Sequence, residues 1–405
     1  MGKLIKFKLF ETITKSLFYL IVLYGFSLET SGKFGFLTVI IGLSSVFIGF
    51  ERYISLQREI VKVSNENTQE KLSDLIKFYL FNFIIIIPFF SIFIYLKIFD
   101  SAGLIAFTIL ILIIEHISNQ IYNISVVYEK YIHLMVFIII RNILLIFSVI
   151  FIIFNDFENP LNSIIFCWFS LCLLQLILSI YFFILEQNRH SIHFFKFNFK
   201  KIFNQYLYSK IHFLIGLVAI LWVQLDRIIV GLWFSSEYMG IYYRHVTLIG
   251  ILIQLFNITS YNRLVPIIYA SVKTKSYNFI NSILLKEYKF ALSFLIFLSI
   301  CTVVIYQTTL FESFFVNYLI QLDLLLLLIL VFSIKILADY QAIIFNAYKM
   351  ERYIFRNQLI SLVIALFFMF LLIPFFQIKG IIYASLISTI IYVVLMFYYK
   401  HKIQF

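Results

Sequence analysis

The chain has 405 residues, of which 62% are hydrophobic and only 13% are charged. A soluble core cannot bury so much apolar surface, whereas a bundle of membrane-spanning helices can, so the composition excludes an ordinary soluble domain. The formal net charge of +12 does not predict a nucleic-acid partner, because cationic loops are what the positive-inside rule expects of a membrane protein.

Runs of about 20 apolar residues predict about twelve membrane-spanning helices. The first six lie near Ile13–Leu28, Phe34–Tyr53, Phe78–Ile98, Gly103–Tyr122, Tyr131–Phe154 and Ile164–Leu185. The other six lie near Tyr208–Trp233, Met239–Tyr261, Phe290–Leu310, Leu319–Phe345, Tyr353–Phe375 and Ile381–Tyr399.

Basic residues are concentrated in every second connection between these spans. The basic set begins with the lysines Lys3, Lys6, Lys8 and Lys15. The alternate connections contain only Lys33, Lys97 and Lys379. Because basic loops stay in the cytoplasm, both termini are predicted to be cytoplasmic and the short alternate loops periplasmic.

The chain is predicted to form two similar halves. A basic segment, 186–205, is interpreted as a cytoplasmic linker between an N-terminal bundle, 1–185, and a C-terminal bundle, 206–405. The segments SGKFGFLTVIIG and SEYMGIYYRHVT both place a polar turn before a glycine, which aligns Gly35 with Gly240. Many alternating-access transporters consist of two such halves. The predicted fold class is an all-α membrane protein with about twelve transmembrane helices in two six-helix bundles around a central cavity.

Charged side chains lie inside the two apolar runs of WVQLDRIIVGLWFSSEYMGIYYRHVT. Arg227 and Arg244 are predicted to lie roughly 10–12 Å below the outer surface, on either side of the short polar turn. Such a charge costs roughly 2.5–3.5 kcal/mol near the bilayer centre, so it usually faces a protein interior or a water-filled cavity. Together with Asp226, the two cations predict an anion-binding shelf. The alternative is a structural Asp–Arg pair with the second Arg snorkelling outwards.

Further charged residues lie within other predicted spans. Arg141 falls near the midplane, which predicts a cavity or a buried partner. Lys335 and Asp339 are one helical turn apart, so they either neutralise each other or form a pair that a substrate or coupling ion separates. Glu115 lies next to His116 in the inner half of the fourth span, where either proton coupling or an interfacial role is open.

These positions define the candidate site. The predicted substrate-binding residues are Arg141, Arg227, Arg244 and Lys335. The predicted coupling or counter-ion residues are Asp226, Glu115 and Asp339. Since the sequence contains no Gly-rich phosphate loop, HExxH or CxxC motif, no catalytic residue, metal or cofactor is predicted, and the chain is not expected to be an enzyme.

Two stretches resemble a known family of membrane proteins. GKFGFLTVIIGLSSVFIGFERYISLQREI, and QLDRIIVGLWFSSEYMGIYYRHVTL leading into RLVPIIYAS, resemble the Wzx-type O-antigen and capsule flippases. These form the polysaccharide-transporter branch of the superfamily that also holds multidrug exporters and lipid II flippases. The strongest local match is the sequence DRIIVG from Asp226, followed by GIY from Gly240.

The resemblance implies a multi-pass protein of the bacterial inner membrane. It would flip an undecaprenyl-pyrophosphate-linked oligosaccharide, an O-antigen or capsule repeat unit, from the cytoplasmic to the periplasmic leaflet. Implied partners are membrane lipids, a polysaccharide polymerase and a chain-length regulator, and no nucleic acid. Whether protons or sodium ions drive the transport is open. Of the four predicted cations only Arg227 lies in the matched motif, and the other three depend on depth alone.

Two alternatives stay open at the level of sequence. A multidrug or metabolite exporter of the same superfamily is expected to use a cavity acid instead of several cations. An integral-membrane polysaccharide polymerase is expected to have a long periplasmic loop, whereas the outer loops here are short.

Overall fold

The chain folds entirely into helices wherever its structure is described. A computed structural model describes residues 2–52, 65–98, 101–127, 131–186, 199–273, 277–307 and 321–400. Within these ranges there are twelve long α-helices and no strand. Ten of these helices are long and apolar enough to cross a membrane, so the chain is a multi-pass membrane protein, and the predicted helical fold class is confirmed.

The helices are numbered here in chain order. The first six are α1 (Gly2–Gly25), α2 (Leu28–Gly49), α3 (Asn65–Lys97), α4 (Ala102–Val127), α5 (Ile132–Phe154) and α6 (Pro160–Glu186). The other six are α7 (Phe199–Trp233), α8 (Ser236–Lys273), α9 (Tyr277–Gln307), α10 (Leu322–Ala347), α11 (Glu351–Phe376) and α12 (Ile378–Lys400).

Several helices begin earlier than the apolar runs predict. The helix α1 begins at Gly2, well before the predicted Ile13, and α7 begins at Phe199, inside the predicted linker. The apolar criterion locates the part of a helix that lies in lipid, whereas the helix itself continues through polar residues that favour helical structure equally well. Consequently charges that precede an apolar run are part of the helix.

The chain divides into two compact units. Unit 1 comprises Met1–Phe26 and Lys33–Ile220, and unit 2 comprises Ser27–Gly32 and Leu221–Phe405. The predicted division into 1–185, 186–205 and 206–405 stays a prediction, and residues 187–198 of the linker lie outside the described residues.

Unit 1 is held together by helix packing around an aromatic cluster. Helix α1 packs on α5, α5 on α6, and α6 on α4. Phe18 contacts Phe34 and Trp168 with ring centroids 5.7 and 6.0 Å apart, and Tyr19 contacts Phe34 at 5.9 Å. Such rings bury a large area and have few rotamers, so this cluster fixes which side of α1 packs against the rest of unit 1.

Helix α10 occupies the centre of unit 2. It packs on α8, α9, α11 and α12, and its Tyr340 and Phe345 are fully buried. Lys335 and Asp339, in the middle and second half of this helix, are therefore partly covered by neighbouring helices.

Two glycines of unit 2 allow a close crossing of α2 and α8. Gly32 and Gly240 are each the fifth residue of their helix. A Cβ on Gly240 would collide with the carbonyl oxygen of Leu28, and a Cβ on Gly32 would collide with that of Ser236. Only glycine permits backbones to approach so closely. The structural counterpart of Gly240 is thus Gly32, three residues before the glycine that the sequence comparison aligned with it.

Candidate functional site

Two described helices carry a lysine far from both of their ends. These are α1 and α10, which are absent from the helices apolar enough to span a membrane. The helix α1 carries Lys15, about 15 Å along the axis from its end at Gly25, and α10 carries Lys335, about 20 Å from its start at Leu322. Because a lysine inside the hydrocarbon is costly, we expect each of the two side chains to face protein or water.

Unit 2 contains a small, partly open cavity between α7, α8, α10, α11 and α12, lined by apolar as well as polar side chains. Its polar and aromatic lining includes Trp222, Asp226, Arg227, Tyr242, Lys335 and Thr389. The enclosed space holds roughly four to six water molecules. A phosphate group or a hydrated ion fits a space of this size.

The acid of this cavity is held by neutral donors. Asp226 accepts a hydrogen bond from the backbone N–H of Arg227 at 2.8 Å and another from the hydroxyl of Tyr242 at 2.5 Å. The Arg227 guanidinium donates through Nη1 to Gln224 at 2.8 Å. Its buried Nε has no hydrogen-bond partner among the described residues. Asp226 therefore does not supply a partner for the Nε of the neighbouring Arg227.

The second cation of the cavity lies over an aromatic ring. Lys335 Nζ is 4.8 Å from the centre of the Trp222 ring, and that ring packs on Tyr392 with centroids 4.7 Å apart. In the described part of unit 2, no ion pair joins Lys335 to Asp339, although the two are one turn apart. Cation–π contact stabilises an ammonium group without cancelling its charge, so among the residues that line the cavity two cations face one acid.

Arg141 occupies a different place, in the core of unit 1. Its guanidinium donates to Glu115 Oε1 at 2.9 Å, to Gln175 Oε1 at 2.8 Å and to Asn142 Oδ1 at 3.1 Å. Glu115 also accepts a hydrogen bond from the indole of Trp168 at 3.2 Å. Arg141 thus has the buried partner that was one of its two predicted environments, and its role in substrate binding stays a prediction.

Arg244 is also separated from the cavity. It is only 3% exposed, and its Nη2 donates to Ser31 Oγ at 3.4 Å, one turn away from the Gly32–Gly240 crossing. It does not belong to the residues that line the cavity. Of the four predicted cations, the structure brings Arg227 and Lys335 together, beside Asp226.

Sequence reasoning missed Lys15 as a candidate. It counted this lysine with the basic residues of the cytoplasmic side, but Lys15 lies in the middle of α1, where its side chain is exposed. Its Nζ lies 5.8 Å from the centre of the Tyr19 ring. The available signal was its position after Ile13, inside the predicted span.

The fold is that of a class of helical membrane transporters, as comparison with solved structures shows. The chain is similar to an inward-facing multidrug resistance MATE family transporter of the MOP superfamily, with a TM-score of 0.69 and 12% identity over 97% of this chain and 94% of that one. It is also similar to the lipid II flippase MurJ in an inward closed conformation, with a TM-score of 0.68 and 16% identity over 98% and 87%.

A third similar structure is a mutant of the Vibrio cholerae MATE transporter VcmN, with a TM-score of 0.60 and 14% identity over 99% of this chain and 97% of that one. No family model matches the sequence, and no curated protein matches it. At these identities the comparisons establish the fold.

Proposed function

We propose that this chain is a flippase that moves an undecaprenyl-pyrophosphate-linked oligosaccharide from the cytoplasmic to the periplasmic leaflet by alternating access. The observation that carries the proposal is the excess of positive charge in the unit 2 cavity, where Arg227 and Lys335 face one locally bonded acid, Asp226. Guanidinium and ammonium groups out of bulk water are well suited to phosphate oxygens.

The size of the cavity limits which part of the substrate it takes. Since it holds roughly four to six waters, it has room for one phosphate group, and the sugars would lie outside it. Recognition in unit 2 would then depend on the lipid phosphate that all substrates of this kind share. The fold of the lipid II flippase MurJ, which the chain shares, supports a lipid-linked substrate.

The second candidate function is export of drugs or metabolites. The similarity to two MATE transporters favours it. The two functions place different demands on the cavity, because an exporter of cationic drugs needs an acid such as Asp226 or Asp339 more than it needs Arg227 and Lys335.

The test compares two charge-removing variants for binding of undecaprenyl pyrophosphate to the purified protein in nanodiscs. Arg227→Gln and Lys335→Gln should each weaken binding roughly 10- to 100-fold, since each removes a charged hydrogen-bond donor worth about 1.5–3 kcal/mol. Surface polysaccharide in cells carrying either variant should fall while the amount of protein in the membrane stays constant.

The control removes a charge outside the cavity. Lys33→Gln, in unit 1, should bind like the parent protein. If both cavity variants bind the lipid normally, the flippase proposal is wrong. If they retain drug efflux that Asp226→Asn abolishes, the exporter is the correct function.

Energy coupling is a separate part of the proposal. Asp226, Asp339 and Glu115 are the candidate sites for a proton or sodium ion. Lipid flipping in proteoliposomes with an imposed proton or sodium gradient would identify the ion, and flipping that responds to neither gradient would exclude both.

A further inference from the structure

The first turns of α7 precede the apolar run that predicts its membrane span. Helix α7 has 35 residues, so it is about 52 Å long, whereas the hydrocarbon of a bilayer is about 30 Å thick. The predicted span begins at Tyr208, and residues 199–207 of the helix come before it. We therefore expect these residues at the border between the hydrocarbon and the lipid headgroups.

The exposed face of this part of α7 is apolar. Phe199, Phe203 and Leu207 are 67%, 63% and 58% exposed, and because they are four residues apart they form one stripe along the helix. The stripe continues into the predicted span through Ile211, which is also exposed. A row of large apolar side chains is costly in water but not against acyl chains, so the stripe is suited to contact with lipid.

The opposite face of α7 holds the helix to the rest of unit 1. Ile202 and Ser209 are buried, and the centroid of the Tyr206 ring lies 4.9 Å from that of Phe50 and 4.8 Å from that of Phe78. Rings packed in this way have few rotamers. Packing therefore determines the direction in which the apolar stripe faces.

Cations accompany the stripe, and acids do not. The segment 199–212 contains three exposed lysines and no Asp or Glu. Lys201 Nζ lies 3.6 Å from the carboxylate of Asp74 in α3, and the same carboxylate lies 3.8 Å from Lys77 Nζ. One acid thus faces two ammonium groups, so these three side chains carry a net positive charge. Apolar side chains beside lysines are typical of a helix that binds the surface of an anionic bilayer.

We propose that the start of α7, with Lys200 and Lys201, is a binding surface for an anionic phospholipid of the surrounding bilayer. The headgroup phosphate would accept hydrogen bonds from the two ammonium groups, and the acyl chains would lie along Phe203 and Leu207. A free phosphate ion would make no use of the apolar stripe, which favours a lipid as the occupant. These residues do not line the unit 2 cavity, so their role does not depend on which molecule is transported.

Lipid titration of the purified protein tests the charged part of the surface. After bound lipid has been removed, the protein is titrated with phosphatidylglycerol and, separately, with phosphatidylcholine of the same acyl chains, and bound lipid is measured by native mass spectrometry. The parent protein should prefer phosphatidylglycerol. Lys200→Gln/Lys201→Gln should weaken phosphatidylglycerol binding about tenfold or more and remove the preference. Lys200→Arg/Lys201→Arg, which keeps both charges, should stay within about threefold of the parent.

The matched control is Lys33→Gln/Lys379→Gln. It removes the same number of charges, but from two of the alternate connections, which lie on the other side of the membrane in the predicted topology. Its phosphatidylglycerol binding should stay within about threefold of the parent.

A tryptophan in the stripe tests the apolar part of the surface. Phe203→Trp is made in a protein whose three native tryptophans are replaced by Phe, and this protein is placed in nanodiscs. Lipids brominated on their acyl chains should quench the emission of the new tryptophan strongly, whereas iodide in the water should quench it weakly.

The proposal is overturned if the parent binds both lipids equally, if Lys200→Gln/Lys201→Gln binds phosphatidylglycerol like the parent, or if the control variant shows the same loss. Inorganic phosphate that displaces phosphatidylglycerol completely would show an ion site instead of a lipid surface. Strong quenching by iodide with none by the brominated lipids would show that the stripe faces water. Thermal unfolding separates a loss of binding from misfolding, and the Arg variant should both bind lipid and unfold like the parent.

Discussion

Arg141 donates a hydrogen bond to Glu115 across 2.9 Å in the core of unit 1, and both side chains are largely buried. A cation that sequence depth alone marks as a substrate ligand is therefore already neutralised by the protein. This pair lies within a network that includes Gln175 and Asn142, and its first consequence is for stability.

Breaking this pair should destabilise the protein strongly. Arg141→Gln and Glu115→Gln each leave a buried charge without its partner, which typically costs about 3–5 kcal/mol. The double variant should lose less than the sum of the two, because its two amides can bond to each other. Unfolding in detergent with increasing denaturant measures all three. Strictly additive losses would contradict a coupled pair.

The glycine crossing of α2 and α8 gives a second stability prediction. Gly32→Ala and Gly240→Ala should both destabilise the protein, since the added Cβ meets backbone atoms of the facing helix that cannot move independently. Gly42→Ala and Gly250→Ala are matched controls, because a Cβ at either position has nothing within 4 Å.

The controls should be neutral or stabilising by up to about 1 kcal/mol, as alanine is the better helix former. Melting temperatures of the four variants in one detergent make the comparison. Equal effects at crossing and control positions would show that helix propensity, and not the crossing, determines the result.

Tyr242 should matter more than its neighbour Tyr243. Tyr242→Phe removes the 2.5 Å hydrogen bond that holds Asp226 and should cost roughly 1–3 kcal/mol, because a charged acceptor loses a donor. Tyr243→Phe removes only a 3.3 Å bond to the carbonyl oxygen of Arg227, so its cost should be smaller. Unfolding free energies of the two variants test the order, and a reversed order would show that Asp226 does not depend on Tyr242.

Trp222 should report anion binding in unit 2. In a protein whose Trp168 and Trp233 are replaced by Phe, pyrophosphate should draw Lys335 away from the ring and change the Trp222 emission. Lys335→Gln should abolish this response, and Lys335→Arg should retain it, since guanidinium also stacks on aromatic rings. A response of equal size in Lys335→Gln would locate the anion elsewhere.

The fold class could be predicted because it depends on the composition and on the length of the apolar runs. Long apolar runs admit only helices in lipid, where each backbone group must bond within its own segment. Arg227 and Lys335 stand inside apolar runs of the sequence, and this was enough to predict charged side chains in the interior of unit 2. Apolarity nevertheless gave poor helix starts, and Lys15 was counted with the cytoplasmic basic residues although it lies inside the predicted span that begins at Ile13.

The partners of the charged residues could not be predicted, because they come from distant parts of the chain. Depth places Arg141, Arg227, Arg244 and Lys335 within the membrane but does not say which carboxylate, if any, lies beside each. Packing of α4 on α6 and of α5 on α6 brings Glu115 and Gln175 to Arg141, and the crossing at Gly240 brings Ser31 to Arg244. The sequence determined that charges lie inside a helical membrane protein, because hydrophobicity is a local property. Only the tertiary structure decided which side chains lie beside each charge, because those contacts join residues far apart in sequence.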